Sequence, residues 1–174
     1  MQIDLCTLTA QQFIRSLTGL KGTLQKAAAY AEVKKVDMAV MFGLRLAPDQ
    51  FPLAKQIQIT CDTAKFCVSR LTGLEPPAFE DNETTVEQFL ARIDNTIAFL
   101  KTAKPENFDG YQNREIRFYW NPGFHVKGDA YLQQYALPNF YFHLTTAYSI
   151  LRANGVDLGK ADFIAEMQWQ KDAN

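Results

Sequence analysis

Residues 13–31, FIRSLTGLKGTLQKAAAYA, decide the fold class, because the apolar positions Phe13, Leu17, Leu20, Leu24, Ala27 and Ala31 step by four and three in alternation. That spacing puts all six on one face of an α-helix, as a stripe suited to packing against other helices. Its start carries two signals. Thr9 with Gln12 reads as a capping box, and Leu8 with Phe13 as a hydrophobic staple. A first helix is expected from about Ala10 to Glu32.

Outward from this helix the same period recurs. Ile57, Cys61, Ala64, Val68 and Leu71 repeat it after Pro48-Asp49, with Asp49 as the expected N-cap, Pro52 in the first turn and Gly73 as a left-handed stop. Leu74 to Glu83, with Pro76-Pro77, reads as a connecting loop. A third helix is expected from Thr85 to about Leu100, capped by Thr84 with Glu87 and burying Val86, Leu90, Ile93, Ile97 and Leu100.

Beyond Lys104-Pro105 the period changes to two. Ile116, Phe118 and Trp120 alternate with Arg117 and Tyr119, and Asn121-Pro122-Gly123 turns the chain toward Phe124-His125-Val126. This predicts a β-hairpin whose apolar face lies on the bundle, since two strands alone are marginal in water. Asp129 to Gln134 adds a helical turn, and a fourth helix is expected from Pro138 or Asn139 to about Ala153, stopped by Asn154-Gly155. The expected architecture is all-α: a four-helix bundle, residues 1–174 in a single domain, with a small β-hairpin between the third and fourth helices.

Composition narrows the function classes. The 174 residues, 47% of them hydrophobic, suffice for one core and are short for two. Eighteen Lys+Arg against 19 Asp+Glu leave a net charge of -1, so no global field favours a nucleic-acid partner or an anionic membrane. No apolar run approaches a membrane span and Met1 to Leu5 carries no leader pattern, so a cytoplasmic chain without a membrane partner is expected. Cys6, Cys61 and Cys67 form neither a disulfide framework nor a redox pair, and read as small core hydrophobes.

Catalytic motifs are sparse. The chain has no phosphate-cradling glycine motif and no nucleophile elbow, and His125 and His143 are its two histidines. His143 adjoins the stripe Phe140, Leu144, Ala147, Leu151, which makes it either a hydrogen-bonded core histidine or a ligand contact. Asp62, with Lys65 at i+3 and Gln58 at i−4, is either an exposed carboxylate with an intrahelical partner or a second ligand contact. Arg45 either binds an anion at the start of the second helix or fixes its own loop. The aromatic residues from Tyr111 to Phe142 either line a pocket or fill the core.

Four blocks together carry a resemblance. They are Arg45-Leu46-Ala47-Pro48-Asp49; Gln56-Ile57-Gln58 to Cys61-Asp62-x-Ala64-Lys65; Phe79-Glu80-Asp81-Asn82-Glu83-Thr84-Thr85; and Pro138-Asn139-Phe140-x-Phe142-His143 through Asn154-Gly155 to Lys160. Over nearly its whole length the chain resembles an uncharacterised domain family within the DinB/YfiT-like superfamily of metalloenzymes. The resemblance implies an up-down-down-up four-helix bundle, often assembled as a homodimer. In better-known members one histidine of the second helix and two of the fourth hold a divalent metal, often nickel or zinc, and some are thiol-dependent transferases. In that register the ligand positions fall on Gln56, Ala147 and Leu151, none of them a first-choice ligand, so no metal or other cofactor is expected.

The expected function is binding of a small polar molecule in a pocket between the second and fourth helices, near Gln56, Asp62, His143 and Tyr148, with Arg45 a further candidate. Two alternatives stand beside it. One is a metal-independent transferase or hydrolase using His143 as general base with Asp62 to orient it. The other is a structural or interaction homodimer that keeps no cavity.

Overall fold

The structure is a computed structural model that describes residues 4–165, 167 and 169–171. Its helices are α1 (Gln12–Lys34), α2 (Met38–Gly43), α3 (Leu53–Thr72), α4 (Val86–Leu100), α5 (Gly128–Tyr131), α6 (Leu137–Ala153) and α7 (Lys160–Ile164). The four long ones, α1, α3, α4 and α6, form a ring in which α1 and α3 each neighbour α4 and α6.

Side-chain pairs fix the directions. Phe13 meets Phe140 and Tyr30 lies against Gly155, so α1 and α6 run parallel. Gln56 meets His143, Thr63 meets Asn139 and Arg70 meets Tyr131, so α3 runs against α6. Cys6 lies at Ala103 and Lys21 at Asp94, so α4 opposes α1 and parallels α3. The connectivity is up-down-down-up, with a long crossover between the parallel neighbours α3 and α4.

The stripes that define the helices are the core. All six α1 positions are buried, as are Ile57, Cys61, Ala64, Val68 and Leu71 of α3 and Phe140, Leu144, Ala147 and Leu151 of α6. They join one hydrophobic cluster, with the Phe13 and Phe140 rings 4.4 Å apart at its centre. In α4 the buried face is rotated from the expected one. Ile93 and Leu100 are buried, but Phe89, Arg92 and Thr96 join them while Val86, Leu90 and Ile97 lie at the rim.

Helix starts depart most from the sequence reading. Helical structure begins ahead of Ala10, where the Asp4 carboxylate accepts from the Thr7 N–H and a π-helical turn, Thr7–Gln11, leads into α1. Thr9 is thus not a cap; its hydroxyl is buried and donates to the Leu5 carbonyl at 2.7 Å. Helix α3 starts after Pro52, not at Asp49, because the pyrrolidine ring favours a helix boundary. The α4 capping box uses Thr85 with Gln88, one residue beyond the expected pair. Helix α2, capped by Asp37, and helix α7, packed on α1, lie outside the four helices expected from the sequence.

The hairpin is shorter than its alternation predicts. Only β1 (Glu115–Ile116) and β2 (Val126–Lys127) pair, antiparallel, with Ile116 opposite Val126. Beyond them Phe118 and Trp120 stack on each other at 4.2 Å and on Tyr135, instead of continuing a ladder. The turn expected at Asp129–Gln134 is continuous with α6: α5 passes into a π-helical turn, Leu132–Ala136, just ahead of Pro138. The wider turn suits a residue whose ring and missing N–H break a regular α ladder. Among the described residues no helix is long and apolar enough to cross a membrane.

Two glycines test this packing in opposite directions. A Cβ at Gly128 would overlap the backbone carbonyl of Tyr111, whereas one at Gly22, within α1, would meet nothing. Gly128→Ala is expected to lower stability by about 2 kcal/mol or more through forced displacement. Gly22→Ala is expected to raise it by about 0.5–1 kcal/mol through helix propensity. Urea unfolding midpoints of the two variants check both signs.

Candidate functional site

Two centres lie on opposite sides of α3. On the α6 side, the Gln56 amide donates to the Phe51 carbonyl at 2.9 Å, which turns its oxygen toward His143. The His143 Nδ1 lies 2.6 Å from that oxygen. With the amide N–H committed to Phe51, Nδ1 carries the proton and Nε2 keeps its lone pair, an assignment drawn from the hydrogen-bond network. Burial pushes the His143 pKa down to about 4, so the ring is neutral at neutral pH.

This seam does not fit a divalent metal. Gln56 offers only an amide oxygen already holding an N–H, and Ala147 and Leu151 along α6 are fully buried hydrocarbon. Burial also pushes Cys61 and Cys67 up to about 12, which keeps both as thiols.

On the α4 side, Arg92 lies in a charge cluster of its own. Its guanidinium, almost wholly buried, holds Asp81 and Glu83 of the crossover and Asp62 of α3, each at 2.8 Å. Lys65, also buried, reaches the same Asp62 oxygen at 2.9 Å, and Lys55 binds Asp81 at 2.7 Å. The Phe79 ring lies against both cations, 4.5 Å from Arg92 and 4.0 Å from Lys65. Three acids meet three bases, so the cluster is neutral as a unit. Partial burial alone would raise the Asp81 and Glu83 pKa values, but hydrogen bonds from Lys55, Arg92 and Gln58 outweigh it and hold both below the usual carboxylate range.

A cleft of about 150 Å³ opens beside this cluster, where the C-terminal half of α3 faces the hairpin loop and the helical turns before α6. Asp62, Thr63, Phe66 and Arg70 form one wall; Tyr119, Trp120, Tyr131 and Tyr135 form the other. Arg70 is held by rings, its guanidinium carbon 5.2–5.4 Å from the centroids of Phe66, Phe118 and Tyr131, and it donates to the Tyr131 hydroxyl at 3.2 Å. Among the described residues, no carboxylate pairs with it.

The expected site residues therefore separate. Gln56 and His143 meet in the seam, and Asp62 reaches the cleft through the Arg92 cluster without touching His143. Tyr148 packs edge-on against Phe163 of α7, and Arg45 fixes its loop through the Gln50 carbonyl at 2.6 Å. Sequence reasoning missed Arg70 and Arg92. The signal for Arg92 was the acid spacing of Phe79-x-Asp81-x-Glu83, a motif without an obvious partner until α4 is placed beside it.

Ring order, connectivity and seam define the class: a DinB-like helical bundle. The chain is similar to the crystal structure of a DinB family member protein from Shewanella denitrificans, at 41% identity over 97% of this chain and 96% of that one, with a TM-score of 0.92. The family model described as "Domain of unknown function (DUF1993)" matches residues 5–164, and the chain belongs to that family. A comparison with curated proteins gives no match.

The two centres give separable pH effects. The fold favours neutral His143, so its contribution is fully present above pH 6.5 and is lost as pH falls toward about 4, on the order of 2–3 kcal/mol. The Asp81 and Glu83 contributions, from depressed values, are present above about pH 4.5 and lost below it. In urea unfolding from pH 7 to 3.5, His143→Gln is expected to flatten the upper part of the decline. Arg92→Met is expected to cost about 2–3 kcal/mol at pH 7, by leaving the partly buried Glu83 without its cation while Asp62 and Asp81 keep Lys65 and Lys55, and to flatten the lower part.

Proposed function

We propose that the chain binds a small polar molecule in the cleft between α3 and the segment leading into α6, and does so without a metal. The observation that carries this reading is the cleft at Arg70: aromatic walls, a guanidinium unpaired among the described residues, and Asp62 at the other end. Pockets of this composition, mostly apolar with a few directed polar groups, are the usual form of small-molecule sites. This reading sets the pocket one face around α3 from the place expected near His143, and of the residues expected there Asp62 lines it. His143, held by Gln56, acts in the seam as a buried neutral hydrogen-bonding group.

The donor chemistry at Gln56, Ala147 and Leu151 supports the metal-free part. Protein purified without a histidine tag is expected to carry no stoichiometric nickel, zinc or iron and to keep its melting temperature on chelation. About one metal per chain by elemental analysis, removed together with stability, would contradict it.

Exposed aromatic side chains, among them Tyr119, Phe124 and Phe142, support a homodimer. Light scattering at micromolar concentration is expected to return about twice the 19.8 kDa chain mass. For the cleft itself, a fragment screen by ligand-observed NMR is expected to yield binders that perturb Trp120. Trp120→Ala, which removes a half-exposed wall, is expected to weaken them severalfold with little change in stability.

A further inference from the structure

The geometry points to a small monocarboxylate as the ligand of this cleft, its carboxylate on Arg70 and its flat apolar body between the aromatic walls; the inference rests on the cleft being the binding site. Charge singles out Arg70. Arg92, Lys65 and Lys55 are matched one for one by Asp62, Asp81 and Glu83, so the neighbouring cluster has no net charge to offer. Arg70 lies outside that balance. Its only polar partner among the described residues is the neutral Tyr131 hydroxyl.

Orientation favours a planar anion. Rings of Phe66, Phe118 and Tyr131 cover the guanidinium, and the bond to Tyr131 uses one terminal nitrogen, which leaves N–H groups along the remaining edge for a partner in the guanidinium plane. A carboxylate is the group whose two oxygens match that edge. Held by packing on rings, the guanidinium loses little freedom when the anion docks.

Size and polarity set the rest of the ligand. About 150 Å³ is the volume of about five waters, which admits a single six-membered ring with its carboxylate and little more. Trp120, Tyr135 and Phe66 present ring surface to such a body. Asp62 does not compete for this end. It stands two turns, about 12 Å of helix, before Arg70, and its Oδ1 holds Lys65 and Arg92.

The test is an NMR titration of the full chain with benzoate, its neutral isostere benzamide, and benzylamine as the cation. Benzoate is expected to bind at least about tenfold more tightly than benzamide, and benzylamine most weakly. Arg70→Gln should erase the preference of benzoate over benzamide, while Arg70→Lys should keep its sign with reduced affinity. Melting temperatures show whether each variant is folded, and the three-ligand comparison on the unmodified protein stands without the variants. Equal binding of benzoate and benzamide at Trp120, or tighter binding of benzylamine, would overturn the carboxylate assignment while leaving the cleft as the site. Binding of none of the three would overturn both.

Discussion

The crossover between α3 and α4 is the constraint on which the rest of this structure depends. Because α3 and α4 run parallel, the chain must climb from Gly73 back along the bundle to Thr85 before the next helix can begin. That climb is roughly 28 Å of helix length, and thirteen residues can span about 43 Å when extended, so the segment reaches without strain but has no ladder to hold it. Arg92 supplies the attachment. It gathers Asp81 and Glu83 from the crossover and Asp62 from α3 on a guanidinium carried by α4. Phe79 closes over Arg92 and Lys65.

An ionic cluster around a buried guanidinium is not, as such, a source of stability, since an apolar set of similar volume often does as well. Its effect here is positional. Asp62 anchors the α3 end of the cluster and reaches the cleft beyond, so the residues that seat the crossover also shape one wall of the candidate site. The opposite wall comes from the hairpin loop, where Trp120 is placed by packing on Phe118 and Tyr135, and Tyr119 lies edge-on to Trp120. Two irregular segments, one tied by charge and one by rings, meet on the regular surface of α3.

Much of the fold was legible because it is written in local period. The α1, α3 and α6 stripes were read residue by residue and all are buried, as a 3.6-residue repeat against other helices requires. The helix starts were less legible, since a cap is chosen between neighbouring candidates by tertiary fit. Thr9 looks like a cap in isolation but is buried and bonds backward to Leu5, and Thr85 displaces Thr84 by a single residue. The candidate site was the least legible part. Arg70 and Arg92 read as ordinary helix-surface cations until α3, α4 and the aromatic loop are brought together, and nothing in linear spacing shows that Arg92 has its carboxylates while Arg70 has none among the described residues. Gln56 with His143 was the reverse case. Both fall in the one pocket expected from the sequence, and the two are hydrogen-bonded to each other.

On the function proposed above, Gln56, His143, Ala147 and Leu151 fill the α3–α6 seam and ligands enter at the aromatic end of α3. The most direct measurement is an electron-density map, with anomalous scattering, from crystals of untagged protein purified without added ligand. Close packing of Gln56, His143, Ala147 and Leu151 is expected, with no anomalous peak, together with non-protein density of about one small ring bounded by Arg70, Trp120 and Tyr135. An anomalous peak in the seam at Gln56 and His143, with the aromatic cleft filled by protein side chains alone, would contradict it.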